Sequence, residues 1–168
     1  MNNNFEIERK YIIKKPDISY LKEISDRILN ITQIYIGMSA DGFNGRIRKA
    51  TEKGKTRFIF TEKRNISGIK RIENEYEIDE EKYNSLFESR LKERNIIEKV
   101  RYCINKNGFV YEIDIYPFWQ NQAIMEVELE SENIIVPELD FIEIIKDVTF
   151  DKTYSNFALS KSIPQEIK

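Results

Sequence analysis

Eight short runs in which apolar and charged residues alternate restrict this chain to a strand-rich fold. They cover residues 5–13, 33–38, 45–50, 57–63, 71–78, 97–104, 109–116 and 123–130. Successive side chains of a strand point to opposite faces, so a period of two predicts strands with one apolar and one charged face. Turn-forming pairs separate several runs, at Asp41-Gly42, Lys53-Gly54, Ser67-Gly68 and Asn107-Gly108. Such pairs favour hairpins, and the sheet is therefore predicted to be antiparallel.

Helical spacing of apolar residues is found between these runs. Residues 17–29 and 79–94 carry amphipathic stripes, and Asp17 and Asp79 are placed to cap the two helices. A short helix is predicted over residues 154–161. No linker or repeat divides the 168 residues. The predicted fold is one domain over residues 1–168, of the α+β class and mostly antiparallel β, with eight strands forming a closed β-barrel or tunnel and the helices packed outside.

The charged faces of the predicted strands are nearly uniform in sign. The basic rows are Arg46/Arg48 and Lys99/Arg101, and the acidic rows are Glu73/Glu75/Glu77, Glu112/Asp114 and Glu126/Glu128/Glu130. For any one strand, the simpler interpretation is a charged face in water. Several rows of like charge are better explained if they converge on one interior, because close like charges repel unless a counterion intervenes. Acidic rows would then bind a metal ion and basic rows a polyanion.

The residue types narrow the chemistry of such an interior. The chain has no histidine and a single cysteine, Cys103, which excludes Cys/His zinc sites, disulfide frameworks and an imidazole base. Carboxylate oxygens without nitrogen or sulfur donors suit a hard ion, Mg²⁺ or Mn²⁺. Arginine forks and lysine ammonium groups suit phosphate oxygens. A metal ion and a phosphate-bearing molecule are therefore the expected ligands.

Overall charge and hydropathy bear on partners and location. The formal net charge is −2, so the chain lacks the positive excess typical of nucleic-acid binding. No apolar stretch is long enough to span a bilayer, and the first residues do not resemble a secretory signal. We expect a cytoplasmic protein with no nucleic-acid or membrane partner. An exposed apolar face of the barrel could support a homodimer.

Eight motifs, in order along the chain, resemble those of the CYTH, or triphosphate tunnel metalloenzyme, superfamily. The run EIERKYII, from Glu6 to Ile13, resembles the ExExK signature that opens the family domain. The later matches are GRIRKA, FTEK, NEYEI, EKVRY, YEIDIY, MEVELE and DVTFDKTYSN. ExExK alone is a weak signal, but ordered matches from residue 6 to about residue 160 are a specific one. The resemblance implies an eight-stranded antiparallel tunnel and hydrolysis of a triphosphate, as in the bacterial inorganic triphosphatases.

The same resemblance implies roles for individual residues. Those expected to hold the divalent metal are Glu6, Glu8, Asp114, Glu126 and Glu128. Those expected to bind the triphosphate are Lys10, Arg46, Arg48, Lys63, Lys99 and Arg101. Lys10, Lys99 and Glu75 are the expected catalytic residues, which neutralise developing charge or position the attacking water. One position departs from the family pattern, because Glu73 stands where many relatives have an arginine; Arg71, one pleat away on the same face, is the residue that could compensate.

Triphosphate recognition does not by itself define the reaction. Inorganic triphosphate hydrolysis, thiamine triphosphate hydrolysis and cyclisation of ATP to cyclic AMP all occur in the superfamily. The opening EIERKYII looks more like the bacterial triphosphatases than the class IV adenylyl cyclases, which favours tripolyphosphate. A non-catalytic polyphosphate or nucleotide sensor is the alternative from another functional class, although a pure anion binder would gain little from so many carboxylates.

Overall fold

The computed structural model of the protein describes residues 5–38, 44–67 and 70–167. Within these ranges nine strands and three α-helices form. The strands are β1 Phe5–Lys14, β2 Arg27–Met38, β3 Asn44–Glu52, β4 Lys55–Ser67, β5 Lys70–Ile78, β6 Ile97–Lys106, β7 Phe109–Ile115, β8 Gln122–Leu129 and β9 Ile144–Asp147. The helices are α1 Ile18–Ile24, α2 Glu80–Phe87 and α3 Asn156–Leu159, and a 3₁₀ turn spans Lys152–Tyr154. The predicted α+β, mostly antiparallel class is confirmed.

All nine strands belong to one sheet, in the order β5-β4-β3-β2-β6-β7-β8-β1-β9. Every neighbouring pair is antiparallel. The first residues of β1 also pair with β5, from Phe5↔Ile72 to Ile7↔Lys70, while β9 pairs with its other half, from Tyr11 to Ile13. Strand β1 thus contacts both β8 and β5, the strand at the far end of the order.

Each of the eight predicted runs lies within a strand or overlaps one. The ninth strand is not predicted, because its four residues, Ile144–Asp147, are too few to show a period. The turns at Lys53-Gly54 and Asn107-Gly108 form as predicted, and in each pair both residues have positive φ. The predicted turn at Asp41-Gly42, and Gly68 of the turn at Ser67-Gly68, lie outside the described residues.

The two longer predicted helices are correct at their starts and wrong at their ends. Asp17 and Asp79 cap α1 and α2, accepting hydrogen bonds from the backbone N–H groups of Tyr20 and Lys82. Helix α1 ends at Ile24, and the apolar residues after it pair with β6 instead of continuing the helix. Helix α2 ends at Phe87, where the chain turns to donate a hydrogen bond from Leu91 N to the Tyr35 carbonyl. Pairing of β2 with β6 ends the first helix and a backbone contact with β2 ends the second, so tertiary contacts override local helical spacing in both.

Apolar residues pack on one face of the strands, and the charged residues lie on the other. Leu21 of α1 packs with Tyr111 and Ile113 of β7, and Tyr83 of α2 packs with Ile34 and Ile47. A third cluster, which includes Tyr116, Trp119, Tyr154 and Leu159, joins β1 and β8 to the C-terminal segment. No helix in the described part of the chain is long and apolar enough to cross a membrane. This packing leaves the charged rows of several strands facing one another.

Gly45 allows β2 and β3 to approach closely, and a side chain there is expected to destabilise the fold. A Cβ at Gly45 would lie 2.6 Å from Ile36 Cγ1 and 3.2 Å from the Gly37 carbonyl oxygen. Gly45→Ala should therefore lower the free energy of unfolding by about 1–3 kcal/mol, as overpacked substitutions do. Gly37→Ala is the matched control, because a Cβ there meets nothing within 4 Å. Urea denaturation of both variants gives the comparison, and equal stability would contradict this account.

Candidate active site

Charged side chains from seven strands surround a cavity of about 880 Å³. Its charged lining residues are Glu8, Lys10, Arg46, Arg48, Lys63, Glu73, Glu75, Arg101, Glu112, Glu126, Glu128, Asp151 and Lys152. The sheet therefore brings together nine of the twelve residues predicted for the site. Of the other three, Lys99 and Asp114 lie next to the cavity without lining it, and the side chain of Glu6 lies outside the described residues.

Glu8 and Glu128 are the strongest indication of a cation site. They are directly opposite each other in the register between β1 and β8, and both line the cavity. Two carboxylates in such a cross-strand pair repel unless positive charge lies between them. The donors are all hard oxygens, which fits Mg²⁺ or Mn²⁺. Among the described residues no three acidic, cysteine or histidine side chains are grouped tightly enough to make a preformed site.

Lys10 and Glu126 supply charge of both signs beside this pair. Lys10 Nζ lies 2.8 Å from Glu126 Oε1 and 3.4 Å from Glu8 Oε1. The other oxygen of Glu126 accepts a 2.8 Å hydrogen bond from Arg101. Burial alone would raise the pKa of Glu126, but Lys10 and Arg101 lower it well below its usual range. Glu126 is therefore held as a carboxylate and is oriented by two cations.

Asp114 lies buried beneath these ion pairs and contacts Arg101. Its side chain is fully buried, and it accepts hydrogen bonds from Arg101 Nε and Nη2, both at 2.7 Å, and from Lys99 Nζ at 2.5 Å. Burial opposes ionisation, yet the charges of Arg101 and Lys99 hold the pKa of Asp114 below its ordinary value. Both carboxylate oxygens are thus committed to protein cations in this structure. Because Asp114, unlike Glu126, does not line the cavity, its position suits orientation of Arg101 better than metal ligation.

Lys99 lies in the same buried layer. Burial, followed by repulsion from Arg101, lowers its pKa to about 8. Its ammonium group contacts Asp114 and lies 5.7 Å from the centre of the Tyr116 ring. Arg101, by contrast, does line the cavity and also bonds to Glu112. Of the predicted lysine-x-arginine pair, only the arginine reaches the cavity.

Arg46 and Arg48 are neighbours on one face of β3, and both line the cavity. The Nε atoms of both are buried and have no hydrogen-bond partner among the described residues. Burial, with repulsion from Arg46 and Arg101, lowers the pKa of Arg48 to about 10. Buried donors without partners are costly in a folded protein, and an anion would satisfy them.

Glu73 joins two of the predicted substrate-binding residues. Its Oε1 lies 3.1 Å from Arg46 Nη2, and its Oε2 lies 2.5 Å from Lys63 Nζ. The residue that departs from the family pattern therefore orients cations instead of supplying one. The side chain of Arg71, which could compensate for this departure, lies outside the described residues. Glu75 also lines the cavity, where Thr61 Oγ1 donates a 3.4 Å hydrogen bond to it.

One wall of the cavity comes from the C-terminal segment and was not assigned to the site from the sequence. Residues 148–152 and 155–158 line this side. Arg94 holds the wall by donating hydrogen bonds to the Phe157 carbonyl and to Ser160 Oγ, at 2.5 and 3.2 Å. Asn156 accepts a 2.7 Å hydrogen bond from Tyr116, and the Phe157 ring meets Tyr35 edge-on. No charge row marks this segment, so only its likeness to the family's closing motif pointed to it.

The chain is similar in sequence and structure to inorganic triphosphatases. An inorganic triphosphatase from Acetivibrio thermocellus is 33% identical over 159 residues, which make up 94% of each chain. The solved structure of the inorganic triphosphatase NE1496 is 27% identical, with a TM-score of 0.57 over 95% of this chain and 97% of that one. The PH1819 protein from Pyrococcus horikoshii OT3 shares the fold, with a TM-score of 0.58 and 20% identity over 76% of this chain and 80% of its own. No family model matches the chain.

Proposed function

The chain belongs to the CYTH, or triphosphate tunnel metalloenzyme, superfamily, and from this premise we propose that it hydrolyses inorganic tripolyphosphate to phosphate and pyrophosphate. The observation that carries the proposal is the convergence of acidic and basic rows on one cavity. Arg46 and Arg48 each have a buried Nε without a hydrogen-bond partner among the described residues, and the carboxylates of Glu8 and Glu128 lie opposite each other across β1 and β8. The similarity to an inorganic triphosphatase over nearly the whole chain supports the choice of substrate.

We also propose that strands β1 to β8 close into a barrel around the cavity, in a single domain over residues 1–168. The pairing of β1 with both β8 and β5 supports closure, and β9 then lies outside on β1. A barrel would surround the substrate with charged side chains on every side and would limit its contact with water. Electrostatic interactions are stronger in such an enclosed site than in open solvent.

The proposed metal is Mg²⁺ or Mn²⁺, held by Glu8, Glu126 and Glu128, with Glu6 as the fourth ligand. When bound, such an ion neutralises phosphate oxygens and lowers the barrier to attack by water. Asp114, predicted as a further ligand, is proposed instead to act through Arg101, because its side chain is fully buried and, unlike that of Glu126, does not line the cavity.

The cations of the cavity bind and orient the phosphate chain. Arg46 and Arg48 line the cavity and present guanidinium groups to the phosphate chain, and Lys10 and Lys63 add point charges. Arg101 is oriented by three carboxylates, those of Glu112, Asp114 and Glu126. Charge that develops on the transferred phosphoryl group therefore meets donors that need no further reorganisation. Lys99 forms an ion pair with Asp114 and so helps to hold the carboxylate that orients Arg101.

Glu75 is the proposed group that positions the attacking water. Its side chain lines the cavity, as do those of Arg48 and Arg101, and its carboxylate accepts a hydrogen bond from Thr61. The reaction needs no covalent intermediate, since water attacks the terminal phosphorus and pyrophosphate leaves. We further propose a cytoplasmic location, a homodimer, and no nucleic-acid or membrane partner.

A substrate panel tests the assignment. Purified protein is incubated with tripolyphosphate, ATP or thiamine triphosphate in the presence of Mg²⁺ or Mn²⁺, and phosphate, pyrophosphate and cyclic AMP are measured. We expect tripolyphosphate to be the best substrate by kcat/KM, with equal amounts of phosphate and pyrophosphate formed. Cyclic AMP as the main product from ATP would support the cyclase alternative. Binding of all three without turnover would support the sensor.

Arg48→Lys tests whether substrate binding needs the guanidinium group of Arg48 or only its positive charge. The substitution keeps the charge but removes the guanidinium fork, so kcat/KM for tripolyphosphate should fall by about 100-fold. Lys49→Arg, on the outer face of the same strand, is the control and should leave kcat/KM unchanged. An Arg48→Lys variant as active as the parent protein would contradict the role given to the buried arginine.

A further inference from the structure

A second cavity, of about 450 Å³, adjoins the candidate active site. It lies at the start of β2 and at the hairpin between β3 and β4. Four residues line both cavities: Arg48, Glu75, Arg101 and Glu112. The two spaces therefore meet at a layer that contains two of the proposed phosphate-binding arginines.

The two cavities differ in charge balance. Among the described residues that line the larger cavity, six are basic and seven are acidic. Among those that line the smaller cavity, six are basic and only three are acidic: Arg27, Arg48, Lys53, Lys55, Arg57 and Arg101 against Glu52, Glu75 and Glu112. A phosphate chain in the larger cavity thus needs an added cation, whereas the smaller cavity attracts an anion with protein charges alone.

The rim of the smaller cavity contains two lysines that are available to a ligand. Arg27 pairs with Glu52 at 2.7 Å, and Arg57 pairs with Glu77 at 2.8 Å, so both arginines already have partners. Lys53 and Lys55 flank Gly54 in the hairpin turn and are exposed. Neither forms an ion pair within the part of the chain that the structure describes. The unmatched positive charge of the rim therefore lies on this turn.

The walls between the rim and the shared layer are mostly apolar. Leu29, Ile31, Ala50, Ile59 and Cys103 line them. Cys103 is buried, and burial raises the pKa of its thiol to about 11, so it adds no negative charge there at neutral pH. Apolar walls below a charged rim concentrate the electric field along the cavity. The space below the rim leads to Arg48 and Arg101, which share their layer with Glu75 and Glu112.

We propose that the smaller cavity is a second binding site, specific for inorganic phosphate groups, independent of divalent metal and continuous with the active site through Arg48 and Arg101. The source of the phosphate group rests on the proposed function. It is either orthophosphate that leaves after hydrolysis or the far phosphates of a chain longer than tripolyphosphate. Both sources present the same tetrahedral oxyanion to the rim lysines and to the shared arginines.

Binding of orthophosphate to the full chain in EDTA tests the site without relying on catalysis. Isothermal titration calorimetry at low ionic strength compares the parent protein with the double variant Lys53→Gln/Lys55→Gln. The control is Lys49→Gln/Lys92→Gln, which removes the same charge from exposed lysines that line neither cavity. We expect orthophosphate to bind about 10-fold more weakly to the Lys53/Lys55 variant and less than about twofold more weakly to the control. Equal affinity in the two variants, or no binding to the parent, would overturn the proposal.

Steady-state kinetics with Mg²⁺ then identify the source of the phosphate group. If the site receives product, the Lys53/Lys55 variant should be inhibited less by added orthophosphate, with an unchanged KM for tripolyphosphate. If it receives the far end of a longer chain, KM should rise only for polyphosphates longer than tripolyphosphate. If the Lys53/Lys55 variant and the control show the same orthophosphate inhibition and the same KM for every substrate, the proposal that the two cavities are continuous is wrong.

The result also distinguishes this inference from the proposed function. An active parent enzyme whose orthophosphate binding does not depend on Lys53 and Lys55 contradicts the second site alone. A parent protein that binds orthophosphate through these lysines but hydrolyses no triphosphate supports the second site and contradicts the proposed function.

Discussion

Chelation of divalent ions with EDTA is expected to lower the rate of tripolyphosphate hydrolysis by at least about 100-fold. The reason is electrostatic, because the larger cavity has more acidic than basic lining residues, and Glu8 and Glu128 lie directly opposite each other. A polyanion is repelled by these carboxylates, and a divalent cation bound between them and the phosphate chain removes that repulsion. Phosphate release measured before chelation, after it and after addition of Mg²⁺ or Mn²⁺ gives the effect.

Thermal unfolding provides a readout of metal binding that does not depend on activity. Mg²⁺ or Mn²⁺ should raise the Tm of the parent protein, since an ion that binds only the folded state stabilises it. Glu128→Gln should reduce this shift, whereas Glu93→Gln, an exposed acidic residue outside the cavity, should not. Activity that survives EDTA, together with a metal-independent Tm, would contradict the proposed ion.

Asp114→Asn is expected to lower both the stability and the activity of the protein. It removes the buried negative charge that binds Arg101 and Lys99, and both cations would remain buried without their main counterion. Breaking a buried ion pair in this way costs about 3–5 kcal/mol of unfolding free energy. Because Arg101 would lose its orientation, kcat should also fall by about 100-fold. Asp140→Asn, at an exposed site, is the control for both measurements.

The same variant separates a positioning role from metal ligation. If Asp114 acts through Arg101 and Lys99, the loss of stability persists in EDTA. If it served only as a metal ligand, the variant would be as stable as the parent without metal, or more stable. Urea denaturation in EDTA decides between the two, and an Asp114→Asn variant with full stability there would contradict the positioning role.

The pH dependence of stability gives an independent check. The folded-state pKa of Asp114 is lowered from its ordinary value of 3.8, so its contribution to stability is complete above that value and is lost as the pH falls through the folded pKa. Asp114→Asn lacks this contribution at every pH. The difference in unfolding free energy between the parent and the variant should therefore be largest near neutral pH and should shrink below about pH 4.

Much of the site could be predicted because strand geometry is simple. Arg46 and Arg48, or Glu126 and Glu128, are two residues apart, so each pair must share one face of its strand. The uniform sign of these rows then indicated a common interior. The helix starts at Asp17 and Asp79 were predicted for a similar reason, because a capping carboxylate acts on backbone N–H groups only a few residues away.

Other features could not be predicted because they depend on contacts between distant residues. The chain leaves α1 for β2 where its backbone pairs with β6, more than 60 residues further along the sequence. Lys99 and Arg101 share a face, but only Arg101 reaches the cavity, because Asp114 and the Tyr116 ring enclose Lys99. Glu73 looked like a departure from the family pattern until its position between Arg46 and Lys63 was known.

The amino-acid sequence by itself determined the antiparallel strands, the charged face of each, the absence of imidazole chemistry and the likeness to one superfamily. These properties follow from side-chain alternation, residue type and local spacing, which need no knowledge of distant contacts. Only the tertiary structure decided which charged side chains contact one another. It also decided that the C-terminal segment forms one wall of the cavity and that a second, more basic cavity adjoins the first. Those properties depend on strand register and packing, which bring together residues far apart in the chain.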